Sequence, residues 1–140
     1  MREILFRAKR KNWRELPKEE WWVEGYPVKY QPCASKDEWI YGIVPTYASA
    51  LYIIEIDPET LCQYIYMNDK NGKRIWEDGI VKHEISDTLG TVKWYQEDYV
   101  GWCVDDIVID EQQFTDEMWN ECEVIGNIFD HPELLKGEAE

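Results

Sequence analysis

Asp69-Lys70-Asn71-Gly72-Lys73-Arg74-Ile75-Trp76-Glu77-Asp78-Gly79-Ile80-Val81-Lys82-His83 is the stretch that decides the fold. Asn71-Gly72 is the strongest short-range turn signal in the chain, because both residues tolerate positive φ. Ile75-Trp76 then reads as a short strand. Asp78-Gly79 turns the chain into Ile80-Val81-Lys82-His83-Glu84, and Ser86-Asp87 turns it again into Leu89 to Tyr95. Glu97-Asp98 is a break before Val100 to Val104, and Asp105-Asp106 precedes Ile107-Val108-Ile109. Short strands at roughly ten-residue spacing, separated by turn residues, predict an antiparallel sandwich or small barrel. Gly90 permits the sharp bend a barrel needs at a corner.

Upstream the pattern is also extended. Ile4-Leu5-Phe6 reads as an edge-like strand and Lys9-Arg10-Lys11-Asn12 as a polar turn. Glu24-Gly25-Tyr26-Pro27 reads as a turn between Trp21-Trp22-Val23 and Val28-Lys29-Tyr30. Trp39 to Val44 is β-rich and ends at Pro45. Leu51 to Ile56 is apolar enough for a strand buried on both faces. Leu61 to Met67 is the next strand. Near the end, Thr115 or Asp116 caps a short helical turn through Trp119, and Glu123 to Phe129 is a strand. Asp130 followed by Glu133 resembles a capping box for a last turn carrying Leu134 and Leu135.

The chain has 140 residues, with 15 basic and 29 acidic side chains and a formal net charge of -14. Eight Trp and nine Tyr argue against disorder, since disordered chains lack ring area. No apolar run reaches the roughly 20 residues of a membrane span. Met1-Arg2-Glu3-Ile4 lacks a signal-peptide apolar region, so the expectation is a cytoplasmic protein with Cys33, Cys62, Cys103 and Cys122 as reduced thiols. The basic residues Arg7, Lys9, Arg10, Lys11 and Arg14 cluster near the start, and acidic residues dominate from Glu97 onward. Such a chain repels a phosphate backbone everywhere except along that basic arm. The acidic tract either keeps the protein in solution or docks onto a basic surface, a partner's or that of another copy.

Chemistry-bearing residues are sparse. No Gly-rich phosphate loop is present. His83 reads as a packed or exposed strand residue and His131 as part of the closing turn, and Ser86 makes no couple with His83. Asp105, Asp106 and Asp110 could together face a divalent cation, but their spacing is not that of a calcium loop, so a solvated turn is expected and no metal or cofactor. The rings of Trp21, Trp22, Trp39, Tyr41, Trp76, Trp94 and Trp102 fall mostly on strands. They either pack the core or form an exposed platform. Trp76, Trp94 and Trp102 are the candidate binding residues. The negative field favours a cationic or Pro-rich peptide over nucleic acid on such a platform.

Three segments in order resemble the YopX family, small proteins of bacteriophages and prophages. Met1 to Ala8 is similar to the family's opening strand, Asp69 to Val81 to its central hairpin, and Glu123 to Leu135 to its closing motif. Ile65-Tyr66-Met67 stands where the family usually has Thr-Gly-Leu, and Glu77-Asp78-Gly79 where it has Glu-Gly-Asp. The resemblance implies a mainly β protein, with a β-rich N-terminal segment over 1–60, a small SH3-like barrel over 61–140, and short helical turns. It brings no catalytic residues. Together with the poor catalytic inventory it implies a non-catalytic phage or prophage accessory protein that binds a host or phage protein. The alternatives are an acidic DNA mimic that inhibits a host DNA-binding protein, and a nucleic-acid-binding small barrel using the basic arm. A charge-split chain with strands at its ends also predicts a homo-oligomer.

Overall fold

A computed structural model describes residues 4–32, 37–47, 52–83, 88–96, 101–105 and 119–136. The chain is mainly β and its strands pair antiparallel throughout. It divides into two units, Met1–Gln63 and Tyr64–Glu140.

In the first unit, β1 (Phe6–Lys9), β2 (Trp22–Tyr30), β3 (Ile40–Pro45) and β4 (Ile54–Glu55) form a sheet in the order β4-β3-β2-β1. The start of β5 (Cys62–Asn68) adds on the far side of β1, with Phe6 opposite Gln63 and Arg7 opposite Cys62. Strand β1 is therefore interior rather than an edge. One face of the sheet carries Ala8, Val23, Ile43 and Ile54, which pack with Ile56 and Leu61. Removing each buried Val or Ile side chain of this set from water contributes about 1.5–3 kcal/mol. A turn at Pro58–Thr60 is capped by Asp57, whose Oδ1 accepts from the Glu59 amide at 3.1 Å. Buried Thr60 accepts from the Lys9 amide at 2.8 Å and donates to the Asp57 carbonyl at 2.7 Å, pinning this turn to β1.

Two expectations fail here. Glu24 to Pro27 is no turn, because β2 runs unbroken through it and pairs with β3 from Gly25 to Tyr30. Gly25 is small for a packing reason: a Cβ there would lie 2.0 Å from the Val44 carbonyl oxygen. Pro27 is tolerated because pairing with β1 stops at Gly25, which leaves that side of β2 without a ladder bond to lose. Leu51 to Ile56 is not a strand buried on both faces. Leu51 lies outside the described residues, Tyr52 and Ile53 are exposed, only Ile54–Glu55 form a strand, at the edge of the sheet, and Ile56 adds an isolated bridge to Arg10.

In the second unit, β5 continues and pairs with β6 (Arg74–Trp76) around the expected Asn71-Gly72 turn. Gly72 has φ +79, and its amide donates to the Asp69 carbonyl at 3.0 Å. The buried Asp69 carboxylate organises the rest. Its Oδ1 accepts from the Asn71 and Lys73 amides at 2.9 and 2.8 Å, and its Oδ2 from the Val124 amide at 2.9 Å. A second sheet has the order β10-β7-β8-β9, from β7 (Gly79–His83), β8 (Thr88–Tyr95), β9 (Gly101–Asp105) and β10 (Cys122–Asn127). Ile65, Ile75, Val81, Val92, Val104, Trp119 and Cys122 form its core. A short helix, α1 (Glu133–Lys136), follows. It begins three residues after Asp130, whose Oδ2 instead accepts from the Asn127 side-chain amide at 3.1 Å. Among the described residues no ladder joins β9 to β10, so this sheet is open and the expected closed barrel is not formed by them. The predicted turn at Thr115 or Asp116 lies outside the described residues, as do Ile107 to Ile109.

Two non-glycine residues among those described have positive φ, Tyr66 at 81° and Asp78 at 63°. Both occupy positions at which the resemblance places glycine. Tyr66 sits in a bulge where three residues of β5 stand opposite Ile75 alone. Asp78 receives the Lys93 ammonium on Oδ1 at 2.6 Å, its amide donates to the Val92 carbonyl, and its carbonyl accepts from the Ile128 amide.

Candidate functional site

Among the described residues, the groups that could do chemistry lie apart. His83 is buried on β7, with Nε2 3.4 Å from the Glu121 carboxylate. His131 uses Nδ1 to accept from the Asn127 amide at 3.3 Å, which closes a turn built on Asn127. Burial pushes the Cys122 thiol up to about 12, with the Glu121 and Asp69 carboxylates adding to the effect. That thiol stays protonated at neutral pH. Among the described residues, no three His, Cys, Asp or Glu side chains come together as a metal site. Ser86, Asp106, Asp110 and Cys33 lie outside them.

The rings carry more information. Trp76 is 4% exposed on β6 and packs against Tyr64 at 5.7 Å between centroids. Trp94 and Trp102 are direct cross-strand partners on β8 and β9, with centroids 5.1 Å apart in an edge-to-face pair. They continue the face occupied by Val92 and Val104 beyond the core. Trp94 is 46% exposed, and its indole N–H donates to Gln96. Of the three candidate residues, two meet and the third is buried elsewhere in the unit.

The basic arm is engaged with rings. The Lys9 ammonium, on a residue 1% exposed, lies 3.8 Å from the Trp13 centroid, 4.5 Å from Trp21 and 5.6 Å from Trp22. The Arg7 guanidinium covers Trp22, and Arg14 covers Trp13. Arg10 Nε donates to the Glu20 carbonyl at 2.9 Å, and Lys11 pairs with Glu55 at 3.2 Å. A ring face attracts a cation through its quadrupole, and the Lys9 contacts with Trp13 and Trp21 tie the arm to β1.

A groove of about 480 Å³ opens in the first unit, lined by Lys11, Glu38, Trp39, Tyr41, Glu55 and Pro58 among others. Trp39 is 49% and Tyr41 36% exposed. Lys29 stands opposite Tyr41 in the β2–β3 ladder. Its ammonium lies 4.3 Å from the Trp39 centroid and 5.5 Å from that of Tyr41. Composition counts these rings without separating them from core rings. The signal that finds the groove is the β2–β3 register, which no local pattern supplies.

An antiparallel β protein of two units, with a ring-lined groove in the first, is the class that fold and site define. The YopX protein family model matches residues 6–136, and the chain belongs to the YopX family. It is similar in fold to the crystal structure of protein EF1440 from Enterococcus faecalis, at a TM-score of 0.54 and 20% identity, over 96% of this chain and 99% of that one. No curated protein matches the chain.

Proposed function

We propose that this protein is a non-catalytic phage or prophage accessory protein, acting in the cytoplasm of a bacterial host by binding another protein. The observation that carries this reading is the groove, whose exposed Trp39 and Tyr41 rings offer contact area at low conformational cost. The scattering of His83, His131 and the protonated Cys122 thiol favours binding over catalysis. The placement of the arm's cations on rings and carboxylates favours a protein ligand over nucleic acid. The C-terminal sheet is read as an opened SH3-like barrel, on the support that β10 returns to pair with the first strand of the β7-β8-β9 meander. Assembly into a homo-oligomer belongs to the same reading.

The test is affinity purification from host lysate followed by mass spectrometry, with wild-type protein and Trp39→Ala in parallel. A partner enriched by the wild type and lost with the variant supports the reading. Turnover in a hydrolase screen without any groove-dependent partner overturns it. The DNA-mimic alternative predicts instead a DNA-binding partner released steeply by salt and retained by Trp39→Ala.

A further inference from the structure

We infer that the groove takes an extended, uncharged segment of the partner protein, which adds to the open edge of β3 as one more strand. This deepens the reading just given and rests on it. Trp39 leads into β3, and the consecutive residues Trp39, Ile40 and Tyr41 all line the groove. The Lys29 ammonium lies near both the Trp39 and the Tyr41 ring, so these two share a face and Trp39 continues the pleat. Successive side chains of a strand point to opposite faces, so a groove that touches such a run lies along the strand's edge. The other edge is taken, because Ile40 and Tyr41 stand opposite Tyr30 and Lys29 of β2. On the groove side β4 pairs only with Gly42 and Ile43. The Ile56 amide then donates to the Tyr41 carbonyl at 3.0 Å, and the chain leaves β3 for β1, where the Asp57 amide donates to the Lys9 carbonyl at 2.9 Å.

That departure leaves backbone groups of β3 turned toward the groove. In an antiparallel ladder a residue points its amide and carbonyl at the same neighbour, and the next residue points both at the other. The Tyr41 carbonyl faces the β4 side, so the Tyr41 amide faces it too, as do the amide and carbonyl of Trp39. The far wall brings them no amide: Pro58 has none, and those of Asp57 and Glu59 are spent on the Lys9 carbonyl and the Asp57 side chain. An extended segment lying in the groove supplies the missing ladder partners. Charge does not choose that segment. Lys11 and Glu55 neutralise one another across 3.2 Å, Glu38 is exposed to water, and residues 1–63 carry nine basic and ten acidic side chains. Recognition falls to the main chain, with Ile40 on one face and the two rings on the other favouring β-branched neighbours. A cleft of about 480 Å³ with a far wall admits one strand and not the sheet edge of a second copy.

The test uses the full chain and a fluorescently labelled, end-blocked peptide of alternating threonine and valine, followed by anisotropy at fixed salt. The comparison peptide keeps the side chains but has every amide N-methylated, which removes its donors. Binding of the first peptide and none of the second is expected, with slower hydrogen exchange at the Tyr41 amide when the first is bound. Tyr41→Pro deletes that amide and spares the β2 ladder, since the amide faces away from β2. It should weaken binding about two- to ten-fold beyond Tyr41→Ala, which removes the ring alone. Tyr26→Ser, exposed on β2 outside the groove lining, should leave affinity unchanged. Thermal melts identify a variant that misfolds. If Tyr41→Pro melts early, the methylated peptide and the exchange of the Tyr41 amide decide the matter on the wild type. Equal binding of the two peptides, no binding of either, unchanged exchange at Tyr41, or equal affinity of Tyr41→Pro and Tyr41→Ala overturns the inference. So does a peptide-free dimer in light scattering that Tyr41→Pro dissociates, which makes the edge a self-pairing surface. A lysate partner lost with Trp39→Ala but retained by Tyr41→Pro overturns the inference alone and leaves the protein-binding reading standing.

Discussion

Tyr66 offers a measurement in which the usual ranking of two residues inverts. In an ordinary strand, alanine is more stable than glycine by about 0.5–1 kcal/mol, because glycine loses more backbone freedom on folding. Tyr66 has φ 81°, where any Cβ collides with the backbone at a cost of about 1–2 kcal/mol. Tyr66→Ala and Tyr66→Gly both delete the ring that stacks on Tyr64 at 5.5 Å, so that loss cancels between them. What remains is the strain minus the chain entropy, and Tyr66→Gly should be the more stable by about 0.5–1 kcal/mol. With a urea slope of about 1–3 kcal/mol/M, the midpoints should differ by a few tenths molar. The same pair of substitutions at Tyr26, an exposed residue in regularly paired β2, should rank the other way. Tyr66→Ala equal to or above Tyr66→Gly in urea midpoint would refute the claim that this bulge needs a left-handed residue.

Three further outcomes follow from the packing. Cys122 has its thiol raised to about 12 from 9.0, so the folded state keeps a proton that the unfolded state releases. Its contribution is complete below pH 9 and is lost as pH climbs from 9 toward 12, with a slope of at most about 1.4 kcal/mol per pH unit. Urea midpoints of the wild type should fall over that window more steeply than those of Cys122→Ala. Asp69→Ala leaves the amides of Asn71, Lys73 and Val124 without their acceptor and should cost about 3 kcal/mol or more, read from denaturant unfolding. Lys9→Met keeps the stem but removes the cation from three indoles and should cost about 2 kcal/mol, with a change in tryptophan emission that Lys73→Met does not give.

Local chemistry made part of this fold legible. Asn71-Gly72 turns where it does because few residue pairs accept that backbone, and the strands from Gly79 to Asp105 follow from turn residues at regular intervals. The local pattern misleads where a residue answers to something distant. Gly25 is glycine because the Val44 carbonyl crowds it, a neighbour that exists only once β2 and β3 pair. Lys9 reads as part of a polar turn yet is buried, because indoles from Trp13, Trp21 and Trp22 converge on it. The rings were countable from the start, but strand register decides which of them meet. It joins Trp94 to Trp102, buries Trp76, and sets Lys29 beside Tyr41.

Asp69 also says something about how the molecule is made. Its carboxylate turns the first hairpin of the second unit, yet one oxygen waits for an amide 55 positions later in the chain. On a ribosome adding roughly 5–20 residues per second, that amide is polymerised some 3–11 s after the hairpin. During this interval the nascent hairpin holds its charge toward water, and only the arrival of the last strand seals it in. A pause or stop before Val124 should therefore leave a hairpin that forms and frays, and protease sensitivity on stalled chains would reveal it.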